Sequence, residues 1–73
     1  MSLFAERLKT LRTTNNATQK DIAESLGITV RGYQFYEYAT KEPTMSNLIA
    51  LADYFKVSID YLVGRTNNPS INQ

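Results

Sequence analysis

The chain has 73 residues and a net charge of +1, from eight basic and seven acidic side chains, with no cysteine and no histidine. That length allows one small domain. The missing cysteines exclude a disulfide framework, and the missing histidines also remove common zinc ligands and the usual general base near neutral pH. The longest apolar run, Leu48 to Ala52, falls far short of the roughly 20 residues of a membrane-spanning helix, and residues 1–9 show no signal-peptide core. The expectation is a cytoplasmic domain held by packing alone, without metal, cofactor or small-molecule ligand. Residues 1–41 carry +2 and residues 42–73 carry −1, a mild asymmetry that by itself names no partner.

The apolar spacing is helical almost throughout. Phe4, Leu8 and Leu11 form one stripe of a first helix, which should stop at Asn15-Asn16 because asparagine tolerates the left-handed conformation. Thr18 reads as the N-cap of a second helix, with Asp21 in the capping-box position, and Gly27 ends it after Ile22, Ala23 and Leu26. Thr29 caps a third helix running to Tyr38, with Tyr33 and Tyr36 on its inner side. Pro43 argues against continuing that helix through the loop 39–43. Thr44 then caps a fourth helix, whose Leu48, Leu51, Ala52 and Phe55 follow the i, i+3, i+4, i+7 rule. Ser58 caps a short fifth helix through Ile59, Leu62 and Val63, closed by Gly64. The polar stretch from Thr66 to Gln73 reads as a flexible C-terminal tail beyond a domain spanning residues 1–65. The fold class is all-α, a five-helix bundle.

Residues 19–37 are the informative segment. Ala23 is small where two helices would cross, and Gly27, four residues on, supplies the positive φ of a sharp turn. Ile22, Leu26, Ile28, Tyr33 and Tyr36 face inward. This is the spacing of a helix-turn-helix, and equally of an ordinary αα-hairpin. Agreement along the whole chain separates the two. Residues 7–12 (RLKTLR), 18–23 (TQKDIA), Leu26-Gly27-Ile28, Tyr36-Glu37, Glu42-Pro43, 51–55 (LADYF) and 57–65 (VSIDYLVGR) together resemble the Cro/Xre-type, phage-repressor-like helix-turn-helix family over residues 3–65. Three positions depart from that pattern. Ala39 stands where a glycine usually follows the third helix, Gly32 lies inside that helix, and Tyr33 replaces a smaller β-branched residue.

The resemblance implies a double-stranded DNA-binding regulator of transcription, a repressor acting as a homodimer on a palindromic operator. The third helix would enter the major groove, with Val30, Arg31, Gln34 and Phe35 facing outward. Arginine can bond guanine O6 and N7, glutamine can bond adenine N6 and N7, and the apolar pair can pack on thymine methyls. Phosphate contacts would come from Gln19 at the start of the second helix, and from Thr29, Thr40, Lys41, Ser46 and Asn47. The family pairs Arg12 with Glu37 as a structural ion pair rather than placing Arg12 on DNA. Ile59, Tyr61, Leu62 and Val63 exceed what one side of a short helix can bury. With Leu62 assigned to the core, Ile59, Tyr61 and Val63, with Ile71, remain for a dimer interface. No residue set suggests catalysis, since nothing is present to activate a nucleophile. Two alternatives remain: the antitoxin of a toxin–antitoxin pair, and a protein-interaction domain that kept the fold without operator binding.

Overall fold

Four of the five helices begin on a side-chain hydroxyl. The computed structural model describes residues 3–70 and comprises α1 (Leu3–Thr14), α2 (Gln19–Leu26), α3 (Val30–Glu37), α4 (Met45–Phe55) and α5 (Ile59–Leu62), with no strand among the described residues. The oxygens of Thr18, Thr29, Thr44 and Ser58 accept from the backbone N–H of Asp21, Gly32, Asn47 and Tyr61, each three residues on. Each cap satisfies a donor that the first turn leaves unpaired and sets where its helix begins. At α2 the box is complete, because Asp21 Oδ2 also accepts from the Thr18 N–H at 3.0 Å. These bonds hold the Asp21 carboxyl below its ordinary range.

The helices then pack around five fully buried side chains, one from each: Leu8, Ile22, Tyr33, Leu51 and Leu62. α2 lies on α3, α1 touches α3 and α5, and α4 touches α2 and α5. Two glycines make this packing possible. Gly27 takes φ 72° in the α2–α3 turn, where a side chain would be strained. Gly64 takes φ 90°, and a Cβ there would come within 2.7 Å of Leu3, so only glycine lets the end of α5 close onto α1.

The centre of the bundle is a charge. The Glu37 side chain is 1% exposed and forms an ion pair with Arg12, whose side chain is 16% exposed. Arg12 Nε donates to Glu37 Oε2 at 2.5 Å and Nη2 donates to Oε1 at 3.2 Å. The fork thus ties α1 to the end of α3 in two-point geometry. The large Tyr33 side chain fits because its phenol finds a partner: the hydroxyl donates to Glu37 Oε2, one turn along the same helix. Burial pushes the Glu37 carboxyl up, but the bonds from Arg12, Tyr33 and Gln19 outweigh it and hold the group below the ordinary glutamate value. Burial, and then the Glu37 bond, push the Tyr33 phenol far up, so it stays a donor.

The segment after α5 differs from expectation. Its polar composition predicts a loose tail from Thr66, yet Thr66 to Pro69 is tied to the body. Arg7 Nη1 donates to the carbonyls of Tyr61 and Thr66, and Nη2 donates to Asn67 Oδ1 at 2.6 Å. The Ser58 N–H donates to the Pro69 carbonyl at 2.9 Å. Hydrogen bonds thus join the body to residues beyond 65. Composition misses this because the tether is a cation some sixty residues away in sequence.

The turn after α3 carries a second finding. Ala39 adopts φ 60°, so the helix ends in the left-handed geometry that glycine usually provides, and Thr40 N–H bonds back to the Phe35 carbonyl at 2.9 Å. An L-residue in this conformation costs about 1–2 kcal/mol, partly offset by glycine's greater entropy when unfolded. Ala39→Gly should therefore stabilise the fold by about 0.5–1 kcal/mol, read as a rise of a few degrees in Tm; an unchanged or lower Tm would show that the turn is unstrained.

The buried charge gives a further expectation. Arg12→Ala leaves Glu37 without its main partner and should cost about 2–4 kcal/mol in denaturant unfolding. Because the folded-state pKa of Glu37 is depressed, its stabilisation is full above the ordinary value of about 4.3 and is lost as pH falls through the lower folded value. The difference in stability between the parent and Glu37→Gln should shrink over that acid window and stay constant above it.

Candidate nucleic-acid interface

α3 turns Tyr33, Tyr36 and Glu37 inward, which leaves the opposite side to solvent. Val30 is 36% exposed and Arg31 is exposed, while Gln34 and Phe35 are half-buried. The Phe35 ring lies between two cations: the Arg31 guanidinium is 5.8 Å and the Lys41 ammonium 5.1 Å from its centroid. Such contacts hold flexible cations over an aromatic face and reduce the entropy lost when they bind an anion. Val30, Arg31, Gln34 and Phe35 thus share one side of α3, though Phe35 is recessed rather than free. Gly32, inside the helix, leaves room beside the Thr29 cap hydroxyl, which a Cβ would approach to 3.2 Å.

Gln19 sits in the first turn of α2, but its side chain is not simply pointed at solvent. Its Nε2 donates to Glu37 Oε1 at 3.2 Å, and its Oε1 accepts from Gln34 Nε2 at 2.9 Å. The two glutamines read from the sequence as separate phosphate and base contacts are joined, and both hang from the buried carboxylate. Nothing in their spacing announces this, because the link crosses the α2–α3 turn.

The other flanking residues divide into two groups. Thr40, Lys41 and Ser46 are exposed at and beyond the end of α3. Thr29 accepts from Gly32 N–H as a cap, and Asn47 is half-buried, with Nδ2 donating to the Tyr36 hydroxyl at 3.0 Å. Both of these side chains therefore have structural partners as well as a place beside the surface.

The three α5 residues are not brought to one face. Ile59 is exposed and lines a groove with Ile49, Ala52 and Val57, rimmed by Asp53 and Asp60. Val63 borders a different groove, with Phe4, Pro43 and Leu48. Tyr61 is packed against the core with the Arg7 guanidinium 4.1 Å from its ring centroid. Ile71 lies outside the described residues. Arg7, a helix-flank charge by sequence, is thus taken up inside the molecule. Among the described residues no helix is long and apolar enough to cross a membrane, and no cluster of carboxylates could hold a metal ion.

Comparison with known proteins follows the same outline. A helix-turn-helix family profile matches residues 8–62. The chain is 43% identical over 60 residues to the cryptic phage CTXphi transcriptional repressor RstR of Vibrio cholerae, covering 82% of this chain and 54% of that protein. A transcriptional regulator from Listeria innocua superposes with a TM-score of 0.82 at 38% identity, over 88% of this chain and 60% of that one. The P22 c2 repressor, solved in complex with a synthetic operator, superposes with a TM-score of 0.80 at 27% identity, over 86% of this chain and 96% of that one. The chain spans 54% to 61% of the length of the first curated relatives it matches. A profile covering most of the chain, relatives above 30% identity and the shared five-helix geometry together make this chain a member of the Cro/Xre-type helix-turn-helix family.

Proposed function

We propose that the chain is a sequence-specific double-stranded DNA-binding transcription regulator, a repressor that acts in the cytoplasm and binds a palindromic operator as a homodimer. The observation that carries this reading is the outer side of α3. It combines an exposed Arg31 with Val30 and Phe35, and with a Gln34 amide held from behind by Gln19. Arg31 bonds guanine O6 and N7, and the apolar pair packs on thymine methyls. Thr40, Lys41 and Ser46 flank the helix as phosphate contacts, joined by Thr29, Asn47 and the second amide N–H of Gln19 at the positive end of α2. The likeness to the P22 c2 repressor, solved in complex with a synthetic operator, supports double-stranded DNA as the partner.

Size supports pairing. The longest dimension of the molecule is 33 Å, whereas half-sites on one face of the duplex are about 34 Å apart centre to centre. A single copy reads one groove, with too few base contacts for ordinary specific affinity. Of the α5 residues, Ile59 (36% exposed) is the one open to a second copy. It lies beside Ile49 (43% exposed) on α4. Tyr61 is packed against the core, and Val63 borders the other groove.

Three measurements test this reading. Duplexes selected from random sequence should lose about 1–3 kcal/mol of binding with Arg31→Ala, while unselected DNA binds nearly as before. Lys41→Ala should weaken selected and unselected duplexes alike and make the salt dependence shallower. Unchanged binding in both variants would remove α3 from the DNA. Ile49→Asp combined with Ile59→Asp should give a folded chain that sediments as a monomer and binds operator far more weakly; a parent that is monomeric both free and on operator would end the dimer reading.

A further inference from the structure

The Glu37 carboxylate accepts four bonds from side chains: Arg12 Nε and the Tyr33 hydroxyl on Oε2, Arg12 Nη2 and Gln19 Nε2 on Oε1. An ionised carboxylate only accepts, and with about four lone-pair positions it is saturated. Gln19 can approach it only with its amide nitrogen forward. The orientation of an amide is dictated by its network, so the Gln19 carbonyl must face the other way, where it needs a donor. Gln34 meets it with Nε2 at 2.9 Å. That choice in turn orients Gln34: its nitrogen faces Gln19, and its own Oε1 has no partner within the described residues. Among the described residues no buried side-chain nitrogen or oxygen lacks a hydrogen bond, so this oxygen is open to solvent. Gln34 lies one turn beyond Val30 and Arg31 along α3, on the outward side of the helix.

We infer that Glu37, acting through Gln19, sets the hydrogen-bond polarity of Gln34, which offers DNA a carbonyl acceptor and so selects a base with an amino group in the major groove. Adenine N6 and cytosine N4 are the two such groups; guanine and thymine present keto oxygens at the corresponding edge. The inference rests on the proposed function, with Glu37 and Gln19 as positioning residues that touch no base. The two-edged adenine contact expected from sequence stays possible, since Gln19 engages only one of the two amide hydrogens of Gln34.

The test uses the intact chain and the duplex it selects from random sequence. The base pair read by Gln34 is the one whose identity ceases to matter in Gln34→Ala. The parent should select adenine or cytosine there. Replacing that base by its analogue without the exocyclic amino group should weaken binding about tenfold, which is about 1.4 kcal/mol. In Glu37→Gln, Gln19 is free to turn over, and the preference at this one position should move toward guanine or thymine; a purely structural role would weaken all positions together. Selection of guanine or thymine by the parent, or unchanged binding when the amino group is removed, overturns the inference even if Glu37→Gln fails to fold. A chain that selects no duplex overturns the proposed function itself, and the inference with it.

Discussion

A carboxylate with its side chain almost wholly out of water organises this molecule. An uncompensated charge in that position would neutralise or unfold its surroundings, so the bundle is arranged to supply Glu37 with donors. Arg12 comes from α1, Gln19 from α2, and Tyr33 from the preceding turn of α3 itself. Three helices therefore meet at one group, and the angle of α3 against the other two is set by hydrogen-bond geometry as well as by apolar packing. Apolar contacts alone tolerate sliding and repacking. A saturated carboxylate does not, because any shift leaves a buried donor or acceptor unpaired. That rigidity is what a helix needs if its outer side chains are to meet bases at hydrogen-bond distance.

The parts that could be read from the sequence are those whose physics is local. Thr18, Thr29, Thr44 and Ser58 identify helix starts because a cap acts three residues away, and Asn16, at φ 57°, marks a stop for an equally local reason. The apolar positions of α4 and the inward tyrosines follow from helical period. The Arg12–Glu37 pair came from family likeness, since nothing in the sequence says that two opposite charges 25 positions apart meet. Three features were out of reach for the same reason. The Tyr33 hydroxyl, the Gln19–Gln34 bond and the Arg7 contacts all depend on how helices are placed in space. Ala39 shows the converse, because a position expected to need glycine keeps the left-handed turn with a side chain in place.

The modest net charge of +1 looks unpromising for a polyanion partner, but the total conceals the arrangement. Arg12 is paired with Glu37 inside the molecule and contributes little to an outer field, while Arg7 is engaged by two backbone carbonyls and Asn67. Arg31 and Lys41 instead converge on one ring beside α3, while Asp53 and Asp60 rim the α4–α5 groove with Ile49 and Ile59. Arg31 and Lys41 thus stand together beside α3, with Glu42 next to them, while the α4–α5 groove is apolar with an acidic rim. Weak overall attraction limits binding to arbitrary sequences, which leaves a larger share of the affinity to base-edge contacts.

Arg7 gives α5 its permanence. A four-residue helix has no stability of its own; it persists because Leu62 is buried and because one guanidinium stacks on Tyr61 while gripping the backbone on both sides of the final turn. Regions held by so few contacts are the first to open, well below the free energy of global unfolding. α5 and the segment behind it are thus latched to α1 by Arg7 and packed on α4, away from the donors that hold Glu37. Loss of that latch would loosen the surface around Ile59 without removing any donor to Glu37.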